Sequence, residues 1–153
     1  MKKWLLILFL LIGNLSFSEE DYLKKGNEFY KQGNYKLAEK YYKLACDQGS
    51  KEAQHSLGTF YYELGSFELA EDYYKLASDQ GKVESQTILG IIYMKQGNYG
   101  LAKKYLKLAD NQGYPDAQHT LGIIYGKQKS FNLSEKYFKL AEKNYKLAID
   151  QKK

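Results

Sequence analysis

The chain has 153 residues, 44% hydrophobic and 27% charged, which fits one soluble domain. Its net charge of +5 comes from Lys alone, and those Lys are interspersed with acids, which excludes nucleic acid as a partner because its binders gather basic charge on one face. The single cysteine, Cys46, excludes an internal disulfide.

Residues 1–18 read as a signal peptide. Lys2 and Lys3 precede an apolar run from Trp4 to Ile12, and the small residues Ser16 and Ser18 stand at the third-last and last positions before acidic Glu19, Glu20 and Asp21. The apolar run falls short of the ~20 residues that span a bilayer. Cleavage is expected between Ser18 and Glu19, with export to the periplasm or beyond the cell. Removing residues 1–18 leaves 21 Lys against 18 acids, a net charge of +3.

From residue 19 onward the chain repeats itself every 32 residues. Gly26, Gly58, Gly90 and Gly122 form one column, and Phe29, Tyr61, Tyr93 and Tyr125 another. Ala38, Ala70, Ala102 and Ser134, then Ala45, Ala77, Ala109 and Ala141, complete the pattern. A fixed period of this size marks a repeat array. The units are 19–50, 51–82, 83–114 and 115–146, with a tail to 153.

Each unit carries two runs of helical periodicity. In the second, Ala53, Leu57, Phe60, Tyr61 and Leu64 share one face, and Phe67, Leu69, Ala70, Tyr73, Tyr74, Leu76 and Ala77 share the next. Gly33, Gly65 and Gly97 stop the first helices, and Gly49, Gly81 and Gly113 stop the second. Pro115 opens the fourth unit, where its missing N–H costs nothing. Gly58 and Ala70 let the two helices of a unit approach while Tyr61 and Tyr74 fill the space beside them. Stacking the units buries a continuous core, which accounts for most of the Tyr and Leu. The last unit lacks its stopping Gly, so one long helix from about Asn132 to Asp150 is expected to cap the array, with Tyr145 and Ala148 extending the stripe of Phe138 and Ala141. The fold class is all-α, an α-solenoid of four helix-turn-helix repeats with an extended C-terminal capping helix.

Two motifs carry a resemblance. Leu57, Gly58 and Tyr61, followed by Gly65, Phe67 and Ala70 and then Tyr74 and Ala77, resemble the tetratricopeptide repeat. The junction Gln48, Gly49, Ala53, Gln54, Leu57, Gly58, repeated from Gln112 to Gly122, resembles the related Sel-one-like repeat. The chain departs from both at Lys25, where a Leu is expected, and at Lys129 and Ser134, which replace Gly and Ala.

Little in the sequence points to chemistry. His55 and His119 share a column with Thr87 between them, too far apart for one metal ion, and neither has a cysteine partner. Glu20, Glu52, Glu84 and Asp116 sit in first turns, where a carboxylate complements the helix dipole. Lys43, Lys75 and Lys139 follow Glu39, Glu71 and Glu135 by four residues, the spacing of surface ion pairs. Cys46 shares its column with Ser78, Asp110 and Glu142 and is read as solvent-facing. No nucleophile with a base and an orienting group appears, and no glycine loop for phosphate. Neither an enzyme nor a cofactor is expected.

The resemblance implies a protein-binding groove lined by the first helices. Carried over by position, its columns are Leu23, His55, Thr87 and His119; Asn27, Thr59, Ile91 and Ile123; and Tyr30, Tyr62, Met94 and Gly126, with Lys31, Glu63, Lys95 and Lys127 as the charged edge that sets orientation. The site residues expected to meet a peptide or partner helix are His55, Thr59, Tyr62, Thr87, Ile91, Met94, His119 and Ile123. Tyr62, Ile91, Met94 and Ile123 are its apolar anchors. A structural or self-associating role, with arrays stacked end to end, is the alternative.

Overall fold

The computed structural model describes residues 17–152. The leader lies outside the described residues, except for Phe17 and Ser18. Eight helices are present among the described residues: α1 (Glu19–Lys31), α2 (Tyr35–Asp47), α3 (Lys51–Glu63), α4 (Phe67–Asp79), α5 (Val83–Lys95), α6 (Tyr99–Asp110), α7 (Pro115–Lys127) and α8 (Phe131–Asp150). They pair as α1/α2, α3/α4, α5/α6 and α7/α8, one hairpin per 32-residue period. The chain divides into two compact units between Leu57 and Gly58.

In the first unit, Ser18 opens α1. Its hydroxyl accepts from the Asp21 amide at 3.2 Å, and the Asp21 carboxylate accepts in return from the Ser18 amide at 3.0 Å, a capping box. The Gln48 side chain donates to the Phe17 carbonyl at 3.1 Å. Gly26 is buried where α1 meets α2, and a Cβ there would stand 2.5 Å from the Tyr42 ring. Beside it, the Tyr42 hydroxyl donates to Asn27 Oδ1 at 2.9 Å, and Phe29 stacks on Tyr41 at 5.3 Å.

The second unit repeats this arrangement three times. A Cβ on Gly58 would meet the Tyr74 ring at 2.6 Å, one on Gly90 would meet Leu106 Cδ2 at 2.6 Å, and one on Gly122 would meet the Phe138 ring at 2.8 Å. Tyr61 stacks on Tyr73, Tyr93 on Tyr105 and Tyr125 on Tyr137, with centroids 5.5, 5.6 and 5.4 Å apart. The core is built from Ala70, Tyr74 and Ala77, from Leu89, Ala102, Leu106 and Ala109, and from Ala117, Leu121 and Ile124.

Not every apolar position expected in the core reaches it. Phe67, Leu69 and Leu76 are exposed, as are Leu108 and Leu133. Ala70, Tyr74 and Ala77 lie three and four residues apart and define the inward line of α4. Leu69 and Leu76 each precede a member of that line by one residue, about 100° around the helix, and so turn outward. Leu64 lies in the turn beyond α3 and is exposed as well. The Cys46 column is solvent-facing only at Glu142, its last member. Cys46 is half-buried, and Ser78 is buried where its carbonyl accepts from the Gln86 side chain at 3.2 Å.

The cap is present. Helix α8 has 20 residues against 12 or 13 for the others, and it writes the same phrase twice, SEKYFKL from Ser134 to Leu140 and AEKNYKL from Ala141 to Leu147. A seven-residue step returns nearly to the same face, so the second phrase continues the line of Ser134 and Ala141. From that extension Asn144 donates to Gln118 Oε1 at 2.9 Å, and the Tyr145 hydroxyl donates to Asp116. Beyond Tyr145, Ala148 is exposed.

Two backbone positions decide the local cost of this design. The six glycines that end helices have φ between +73° and +90°, and Lys129 takes the same role in the fourth repeat with φ +59°. A side chain in that region costs about 1–2 kcal/mol. Lys129→Gly is therefore expected to stabilise the chain by roughly 1 kcal/mol. Gly90→Ala, which drives a methyl into Leu106, is expected to destabilise it by about 1–3 kcal/mol. Thermal and urea melts of the two variants check the opposite signs.

Candidate functional site

Within the second unit, the end of α3, the start of α4 and the end of α5 surround an open pocket of about 270 Å³. Tyr62 and Phe67 straddle the turn between α3 and α4 and meet edge to face at 5.3 Å, leaving 38% and 57% of their surfaces exposed. Ile92 from α5 completes the apolar lining, Glu68 and Glu71 form the α4 wall, and Lys95 and Gln96 form the α5 wall.

Glu71 is held in place. Its Oε1 accepts from Lys75 Nζ at 2.7 Å and from the Tyr93 hydroxyl at 2.6 Å. The bond from Lys75, then that from Tyr93, holds the Glu71 carboxyl below its usual range. Burial, reinforced by Glu71, pushes the Tyr93 phenol up to about 12, and Glu71 raises Lys75 to about 12. One repeat later the chemistry reverses. Lys103 replaces Glu71, its Nζ 5.6 Å above the Tyr125 ring and bonded to Gln128 Oε1 at 3.2 Å. The acidic wall is thus not carried on to the junction of the third and fourth repeats.

Of the eight residues expected to meet a partner, Tyr62 alone lines this pocket, joined by Lys95 of the charged edge. Ile91, Met94 and Ile123 are half-buried. Thr87 is 4% exposed, with its hydroxyl donated to the Val83 carbonyl at 3.0 Å. Thr59 accepts from the Tyr74 hydroxyl at 3.1 Å. His119 is exposed, its ring 5.2 Å from Phe138, while His55 is half-buried and belongs to the first unit.

The column Asn27, Thr59, Ile91, Ile123 has a packing explanation. Its first two members bond the hydroxyls of Tyr42 and Tyr74. The equivalents of those tyrosines in the next two repeats are Leu106 and Phe138, which carry no hydroxyl, and there the column turns to Ile. Variation along that column tracks the neighbouring helix. Lys95, expected at the charged edge of the groove, lines the pocket, whereas Phe67, Glu68, Glu71, Ile92 and Gln96 do so with no site role expected from the sequence. Phe67 was assigned to the core and Glu71 to a surface pair, and the reach of Tyr93 across the repeat junction has no sequence signal.

Cys46 offers no reactive thiol, since burial, aided by Asp47, pushes it up to about 12 and disfavours the thiolate that forms disulfides. Among the described residues no group of three or more His, Cys, Asp or Glu is placed to hold a metal ion.

The tetratricopeptide repeat family matches the chain at residues 51–79 and 83–111, the helices of the second and third repeats. The second and third repeats are thus tetratricopeptide repeats. Its fold is similar to that of a protective antigen present in uropathogenic Escherichia coli strains, which displays an SLR fold, with a TM-score of 0.72 and 24% identity. That match covers 84% of this chain but only 31% of the antigen, so the chain spans under a third of its length. MamA is similar with a TM-score of 0.70 and 20% identity over 92% of this chain and 85% of its own. PilF of Pseudomonas aeruginosa is similar with a TM-score of 0.71 and 18% identity over 90% and 72%. No curated protein sequence matches the chain. Repeats of this kind form scaffolds for protein–protein interaction and are typically non-catalytic.

The Glu71–Tyr93 bond makes stability depend on pH at both ends. Glu71 is depressed, so its contribution is present above the unfolded carboxylate value of about 4.3 and is lost as pH falls. Tyr93 is raised, so its contribution holds below the unfolded phenol value of about 10 and is lost as pH rises through the folded one. Tyr93→Phe is expected to cost about 1.5 kcal/mol at neutral pH and to reduce the alkaline loss, measured by melts across pH.

Proposed function

We propose that the chain is an exported, non-catalytic scaffold that holds a peptide or helix of a partner protein against its first helices, anchored in the Tyr62 pocket. The observation that carries this reading is the pocket itself. Tyr62, Phe67 and Ile92 present apolar surface in a fold whose aromatic columns are otherwise stacked in pairs. An aromatic, partly exposed, beside fixed charges is the composition of an interaction hot spot. The segment that fits has an apolar or aromatic side chain for the floor and a basic neighbour for Glu68 and Glu71. Lys95, on the opposite wall, sets its direction. Ile91, Met94 and Ile123 extend the surface along the first helices of the second unit.

Export rests on the leader pattern, Lys2 and Lys3, the apolar run and the small residues Ser16 and Ser18. No helix among the described residues is long and apolar enough to cross a membrane.

A displayed peptide library tests the binding. Selection against the parent chain is expected to enrich apolar–basic sequences whose affinity falls at least about tenfold, or 1.4 kcal/mol, in Tyr62→Ala. Helix content must be unchanged in the variant. Peptides that bind both chains equally well would refute the pocket as the site. Amino-terminal sequencing of the chain recovered from an exporting host tests the leader, with Glu19 as the expected first residue.

A further inference from the structure

The second helices carry Leu in two columns that neither the core nor the pocket uses. Leu69, Leu101 and Leu133 form one in the second unit, and Leu76, Leu108 and Leu140 the other, seven residues apart on each helix. Leu69, Leu76 and Leu108 leave 48%, 50% and 41% of their surfaces exposed. Leu133 is exposed as well, Leu101 and Leu140 are half-buried, and every repeat of the unit keeps both leucines although none of them belongs to the buried core.

Charge around these leucines is divided between neighbouring second helices. Helix α4 carries Glu68, Glu71, Asp72 and Asp79 against Lys75 alone, and α6 carries Lys103, Lys104 and Lys107 against Asp110. Both helices pack on α5. Lys75 is already paired with Glu71, while Asp72 and Asp79 on one helix and Lys104 and Lys107 on the other are exposed and in no ion pair.

We propose that this face is a self-association surface for a second copy of the chain, related by a twofold axis that lies in the face between α4 and α6. That axis sets α4 of one copy on α6 of the other, and by symmetry the reverse, as an isologous contact requires. Leu76 meets Leu108 across the axis, and acids meet lysines on both sides of it. The perpendicular in-plane axis would set α4 on α4 and acids on acids, which is repulsive. A lipid surface is a poorer occupant, because the acids of α4 repel anionic headgroups.

End-to-end stacking is opposed by a separate feature. Lys25 occupies the column of Leu89 and Leu121, which are fully buried where a repeat precedes them. Its ammonium sits 3.8 Å above the Phe17 ring, and a repeat docked there would have to bury that charge. Association through the Leu face avoids that cost.

Light scattering and analytical ultracentrifugation of the chain as purified from an exporting host test this. The parent is expected to form a concentration-dependent dimer that weakens with salt. The α4 variant Asp72→Lys/Asp79→Lys and the α6 variant Lys104→Glu/Lys107→Glu should each be monomeric with unchanged helix content. Mixed in equal amounts, the two should dimerise again, since each supplies the charge that the other lost. Leu76→Ser/Leu108→Ser, which keeps all the charges, should also shift the chain to monomer. A parent that stays monomeric at every concentration, reversed variants that dimerise as well as the parent, or a mixture that stays monomeric would each overturn the proposal. Binding of a monomeric parent to anionic vesicles would do so too and would name lipid as the occupant. The altered positions lie outside the Tyr62 pocket, so either proposal can fail without the other.

Discussion

Every hairpin of this chain depends on one close approach, a glycine in the first helix against a large side chain of the second. Gly26 meets Tyr42, Gly58 meets Tyr74, Gly90 meets Leu106 and Gly122 meets Phe138, each at a distance that leaves no room for a Cβ. With the backbones held that near, the aromatic pair one turn along has a fixed separation, and Tyr61 on Tyr73, Tyr93 on Tyr105 and Tyr125 on Tyr137 differ by only a tenth of an ångström or so. The hydroxyl of Tyr42 or Tyr74 is then carried to a first-helix side chain, Asn27 or Thr59. Where the second helix has Leu or Phe instead, no acceptor is needed and Ile is present. A single steric constraint thus propagates through three columns of the repeat.

The junctions between repeats use a different chemistry. In the second unit they are joined by side-chain amides. Gln112 donates to the Gly81 carbonyl at 3.3 Å and to Gln86 Oε1 at 2.9 Å, and Gln118 donates to Asp110 at 2.9 Å. Asn144 reproduces the Gln112 bond one period later from within α8, so the cap reuses the junction. Such bonds satisfy buried amides in water-poor surroundings, where an orphaned group is costly. Glu71 and Tyr93 add a charged bond at the junction of the second and third repeats, and the pocket opens there. The ion pairs at Glu39–Lys43, Glu135–Lys139 and Glu142–Lys146 lie within single helices and are screened by solvent, so they contribute little.

The glycine columns, the helix boundaries and the long last helix were legible in the sequence because each has a local cause. A left-handed residue stops a helix, and a missing one lets it run on. The pocket was less legible. Tyr62 stood out through variation in its column, but Phe67 read as core because an apolar residue at a helix start has the same pattern whether it packs inward or lies over a turn. Ile91 drew attention while the neighbouring Ile92 lines the pocket, a difference of about 100° around a helix that periodicity resolves poorly on α5, which is apolar on nearly all sides.

Sequence alone determined the period and the helix-turn-helix unit, since these follow from contacts repeated at one spacing. Only the tertiary structure decided which apolar residues face outward. It also decided that Thr87 spends its hydroxyl inside its own helix, that the Cys46 thiol is half-buried, and that Tyr93 reaches Glu71 from the following repeat. The physical reason is distance along the chain. A column repeats whether its neighbour lies in the same hairpin or the next, and the choice between them is made by packing in three dimensions.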